Sequence, residues 1–74
     1  MKGKYYVIAN ADNTKFIGWD ETSGGYAYVT DMFQFCLIGE YDYINEFYKN
    51  LEPYVEDAND FSIKHIVLED ILID

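Results

Sequence analysis

The chain has 74 residues and a formal charge of −9, from fourteen Asp and Glu against five Lys and no Arg. A surface of that sign repels phosphate, which excludes direct nucleic-acid binding and attachment to anionic membranes. The single cysteine, Cys36, excludes a disulfide within the chain.

Half of the residues are hydrophobic, with eight Tyr, five Phe and one Trp. Aromatic side chains bury large areas each, so one small domain spanning residues 1–74 can hold together without staples. No secretory leader is visible, and no apolar run approaches the roughly 20 residues of a membrane span. With its lone thiol, the protein is expected in a reducing cytoplasm.

Lys4-Tyr-Tyr-Val-Ile-Ala9 is β-branched and aromatic and apolar on both faces, which predicts a central strand. Asn10 to Thr14 reads as a turn, and Lys15-Phe-Ile-Gly-Trp19 as the returning strand of a hairpin. Asp20 to Gly25 is a loop, and Tyr26-Ala-Tyr-Val-Thr30 alternates at period two. Gly24 and Gly25 therefore lie between two strands, where positive φ is often needed and glycine adopts it without strain. A phosphate-cradling glycine loop would open a helix instead, and none follows.

Asp31 opens a single turn that leads into Phe35-Cys-Leu-Ile38, a short fourth strand ended by Gly39. From Asp42 the period changes: Ile44, Phe47, Tyr48, Leu51 and Val55 mark an amphipathic helix with Asp42 as N-cap. Pro53 is expected to end or kink it near Leu51 or Glu52. Phe61 to Leu68 reads as the last strand, its two partly apolar faces suiting a central position or a bulge. The order βββ(β)αβ predicts an α+β fold: a small, mainly antiparallel sheet of four to five strands with one helix on one face.

Catalytic chemistry finds little purchase. A nucleophile needs an adjacent base, and the only candidates, Cys36 and His65, both lie in apolar, strand-like runs that suit packing. Two such ligands cannot fill a tetrahedral zinc shell. Asn10, Asp12, Thr14, Phe16, Gly18 and Glu21 imitate the spacing of a calcium loop, but Lys15 stands where that loop must bend at glycine. Carboxylate pairs such as Asp20-Glu21 and Glu69-Asp70 lack the cleft that acid–base work requires. No catalytic residue, metal or cofactor is expected.

The informative feature is where the acids fall. Residues 1–39 carry four acids and three lysines, net −1, whereas residues 40–74 carry ten acids and two lysines, net −8. Successive helical turns hold carboxylates about 5–6 Å apart, and alternate strand positions about 6.5 Å, both close to the spacing of phosphates along a nucleic-acid strand. Such a face suits the Lys/Arg groove of a nucleic-acid enzyme, with steering by opposite charge. The plainer reading is a solubilising coat. Tyr41, Tyr43, Tyr48 and Tyr54 are interleaved with the acids, a mixture suited to a protein-binding face. The expected contacts are Asp42, Glu46, Glu52, Glu56, Asp57 and Asp60, with Tyr48 or Tyr54 as aromatic anchor.

The run Lys15-Phe-Ile-Gly-Trp-Asp-Glu-Thr-Ser-Gly-Gly-Tyr-Ala-Tyr-Val-Thr-Asp31 resembles the Gly-Lys-Tyr-x-x-Trp-Asp, Ser-Gly-Gly-Tyr, Thr-Asp hairpin of small phage and prophage proteins. Beyond it the likeness rests only on the order of elements. It implies a phage origin and residence in a bacterial host cytosol, and no activity by itself. In size and charge the chain is similar to anti-CRISPR and DNA-mimic inhibitors, which implies a basic partner, a nucleic-acid-binding enzyme or defence complex. An antitoxin or immunity protein neutralising a basic toxin would use the same physics. A self-associating accessory phage protein, pairing through free sheet edges, is the alternative from another class.

Overall fold

The computed structural model describes residues 5–66. Four antiparallel strands, β1 (Tyr5–Asn10), β2 (Phe16–Asp20), β3 (Tyr26–Thr30) and β4 (Phe61–Ile66), form a sheet ordered β3-β2-β1-β4. One helix, α1 (Tyr41–Tyr48), packs on it, giving a small α+β fold. Ile8, Ile17, Ala27 and Phe61 project from one sheet face onto Ile44, Leu51 and Val55, and these seven buried side chains make one core. β1 is an internal strand as its apolar faces predict; Val7 and Ala9, on the face away from the helix, are as buried as Ile8.

The β1–β2 turn is built by Asn10, whose Oδ1 accepts from the amides of Thr14 (2.9 Å) and Lys15 (3.0 Å), while Asn13 takes a positive φ of 59°. Lys64 reaches across from β4 and donates to the carbonyls of Asn10 (2.8 Å) and Ala11 (3.2 Å) and to Asn13 Oδ1 (2.8 Å). Gly24 and Gly25 have φ of 91° and 93°, as their place between β2 and β3 requires. A methyl group on Gly25 would come within 2.6 Å of Trp19 Cζ2, so glycine there also makes room for the indole.

Three expectations are corrected. Phe35–Ile38 is not a strand: Phe33–Phe35 is a 3₁₀ turn, and the extended residues after it form a wedge. β1 and β2 pair beside their turn, at Ala9 and Phe16. Farther along, the Ile17 carbonyl accepts from Leu37 N–H (2.9 Å), and Tyr6 exchanges two bonds with Gly39 (2.7 and 3.2 Å). The backbone groups of two diverging strands are thus satisfied by a third segment, which an apolar run imitates well.

The second correction concerns the helix ends. Glu40, not Asp42, is the N-cap; Asp42 lies in the first turn, where its charge still favours the positive end of the helix dipole. The helix stops at Tyr48, before Leu51, because Pro53 has no N–H for the Lys49 carbonyl and its ring would clash with that group. Turns replace it, with Tyr54 and Val55 amides bonded to the Leu51 carbonyl at 2.8 and 2.9 Å, and Leu51 and Val55 remain buried. Third, among the described residues β4 stands at the edge of the sheet rather than in a central position. Its predicted extension through Val67 and Leu68, the acids Glu69-Asp70 and the first residue of the predicted β1, Lys4, lie outside the described residues.

Candidate protein-binding face

The segment from Glu40 to Asp60, helix and turns together, covers the helix-side face of the sheet. Its acids, Glu40, Asp42, Glu46, Glu52, Glu56, Asp57 and Asp60, are all exposed. Among them only Glu46 has an ion-pair partner in the described residues, Lys49 at 3.3 Å. Both members are solvated, and such pairs contribute about 0–1 kcal/mol.

Of the acids expected to make contacts, the fold brings three together. Glu56, Asp57 and Asp60 border an open cavity of about 390 Å³ with a floor of Val29, Val55 and Phe61, beside Asn10 and Lys15. Asp12, in the β1–β2 turn, adds a further carboxylate next to Asp60. The others stand apart on the same layer. Asp42 sits with Glu40 and Tyr41 beside Tyr6, and Glu52 lies near Tyr48, Lys49 and Asn59.

The two candidate anchors differ. Tyr48 is half-buried and its hydroxyl donates to the Phe61 carbonyl at 3.1 Å, tying α1 to β4. Tyr54 is 48% exposed. Its ring meets Trp19 edge-on, centroids 6.0 Å apart at 86°. Trp19 also meets Phe47 (5.0 Å, 62°), and Phe47 meets Tyr43 (5.0 Å, 70°), so four rings form a continuous row. Trp19, Phe47, Pro53 and Tyr54, with Glu46 and Asn50, line a second open cavity of about 400 Å³. Tyr43 and Tyr54 belong to the tyrosines expected on a binding face, but sequence reading missed Trp19 and Phe47 beside them, because these come from β2 and α1 and Tyr54 from the turn beyond. Gly25, whose φ already requires glycine, also makes room for the indole of this row.

Elsewhere, titration is shaped by local bonds. Asp20 is held below the usual aspartate value by the Thr22 hydroxyl (2.7 Å) and amide (2.9 Å) and by Tyr26, whose own hydroxyl is raised by that carboxylate. Burial pushes the Cys36 thiol up to about 11, so it stays protonated at neutral pH. That is opposite to the shift an activated nucleophile needs. His65 is exposed and packs its ring on Tyr6, 5.2 Å between centroids. Among the described residues no group of three His, Cys, Asp or Glu is arranged to hold a metal ion, and no helix is long and apolar enough to cross a membrane. No protein-family model, curated protein or solved structure matches the chain.

Proposed function

We propose that the chain is a non-catalytic, phage-encoded inhibitor that presents its acidic layer to the basic, nucleic-acid-binding groove of a bacterial enzyme or defence complex, as anti-CRISPR and DNA-mimic proteins do. The observation that carries this reading is the run of exposed carboxylates from Glu40 to Asp60, countered within that segment by Lys49 alone. Carboxylates so placed attract a cationic groove at long range and reject nucleic acid itself. The cavity bordered by Glu56, Asp57 and Asp60 gathers three carboxylates against the single Lys15, over an apolar floor that a lysine or arginine stem can cover.

The test is capture from bacterial lysate on the immobilised wild-type chain and on a variant with Glu46, Glu52, Glu56 and Asp57 all changed to Lys. A partner held by wild type, lost by the variant and displaced by added duplex DNA or RNA supports the reading. Equal recovery on both, or indifference to nucleic acid, removes it.

A second reading rests on a different surface. Among the described residues β3 stands at the other sheet edge, with no charged residue from Tyr26 to Thr30, and it exposes Tyr26 (41%) and Val29 (45%). Uncharged edges pair readily with other strands, which favours a self-associating accessory protein. Sedimentation at low and high salt separates the two. A salt-insensitive homo-oligomer supports edge pairing, and a monomer in both conditions rejects it.

A further inference from the structure

We propose that the corner formed by Trp19, Phe47 and Tyr54 is a binding site for the guanidinium of an arginine side chain on the basic partner. This deepens the reading above and rests on it for the partner's charge; the site itself is argued from its own geometry.

Three aromatic rings meet here at steep angles, Trp19 against Tyr54 at 86° and against Phe47 at 62°, and enclose an open cavity rather than a filled one. A cation over an aromatic face is attracted by the ring quadrupole, most strongly over Trp. The rim completes the chemistry. Glu46 offers a carboxylate whose present partner, Lys49, is an exposed and easily displaced ammonium. The Asn50 amide donates through Nδ2 to the Glu46 carbonyl at 2.8 Å, which leaves its Oδ1 to accept. A flat cation with several N–H donors fits a corner with aromatic walls, one carboxylate and one amide oxygen; arginine has that shape, and lysine presents only a point charge. Gly25 supports the arrangement from beneath, since any larger residue would push the indole from its place.

Trp19 is the only tryptophan, so its fluorescence reports on this corner alone. The full chain is titrated with N-acetyl-arginine amide and, in parallel, N-acetyl-lysine amide, with amide NMR shifts recorded beside fluorescence. The expected result is saturable binding of the arginine probe, weaker by about threefold or more for lysine, consistent with the better stacking of a guanidinium. Tyr54→Ala, which truncates an exposed ring, should weaken binding about tenfold, and Glu46→Gln severalfold. Lys49→Ala, which frees Glu46, should tighten it about twofold. Asp31→Asn, an exposed acid that lines none of the cavities described, should leave it unchanged.

The absence of a saturable response, or equal affinity in wild type, Tyr54→Ala and Glu46→Gln, would overturn the proposal, as would equal binding of both probes. The Trp19 emission maximum and the far-ultraviolet circular dichroism of each variant establish that it is folded. Arginine binding with no captured partner would remove the groove reading and keep this site. A captured partner without arginine binding would do the reverse.

Discussion

The sheet divides the described molecule into two unlike sides. On the helix side a single aliphatic core, Ile8, Ile17, Ile44, Leu51 and Val55, lies under a layer that exposes seven carboxylates among tyrosines and amides. On the other side strand alternation places Phe16, Gly18, Asp20, Tyr26, Tyr28 and Thr30 together, with Phe16 edge-on to Phe33 at 5.4 Å and the Tyr28 hydroxyl directed at the Phe35 carbonyl. Two charged groups on this side are engaged: Asp20 accepts from Thr22 and Tyr26, and Lys64 is tied to the β1–β2 turn. The contrast teaches that seven of the exposed acids, from Glu40 to Asp60, ride on the helix layer, while Asp12, Glu21 and Asp31 stand exposed in the turns outside it.

That comparison can be broken or sharpened by substitution. The largest effect should come from the joint between layers. Ile44→Ala removes the helix's fully buried side chain and is expected to cost about 2–5 kcal/mol by urea denaturation. On the opposite side, a methyl on Gly18 would meet the Tyr28 ring at 2.6 Å and the Phe35 carbonyl at 2.8 Å. Gly18→Ala should therefore destabilise by about 1–3 kcal/mol, since the backbone oxygen cannot swing aside as a side chain could.

Tyr48→Phe deletes the bond to the Phe61 carbonyl and should cost about 0.5–1.5 kcal/mol, measured the same way. A smaller change follows from Cys36, whose protonated form is favoured by burial. Its stabilising effect is complete below the ordinary thiol value of 9.0 and is lost as pH rises through about 11. Wild type should thus lose stability relative to Cys36→Ala across that alkaline range, read from paired denaturation curves. Least affected should be the acidic layer itself: Glu56→Gln with Asp57→Asn is expected to change stability by less than about 0.5 kcal/mol, the range of exposed sites. A large loss there would mean that those carboxylates hold the fold together, and would end the contrast.

The sequence made the hairpins and the helix legible because their signals are local. Asn10 and the paired glycines stand where the turns need them, and Ile44, Phe47 and Tyr48 announce a helical face. What escaped was set by parts distant in the chain. An apolar run at Phe35–Ile38 has the composition of a strand, and only the divergence of β1 from β2 turns it into a wedge. Pro53 signalled a helix end, but its steric reach extends back to the Lys49 carbonyl, so the last turn is lost earlier than the apolar period suggests. The acids were visible as a charge count, whereas their division into one clustered trio and separate individuals depends on the path after Leu51. The aromatic corner joins β2 to two later segments, and no spacing in the sequence encodes it.

The wedge at Leu37 and Gly39 has a consequence for how the fold is assembled. A peptide comprising Tyr5 to Asp20 would hold strand pairing only near Asn10, because Tyr6 and Ile17 find their partners in residues that the fragment lacks. The first two strands are therefore a frame waiting for a keystone rather than an autonomous hairpin. Amide exchange at Tyr6 and Leu37 should accordingly slow in step as the chain folds, reporting one event at two places far apart along the polypeptide.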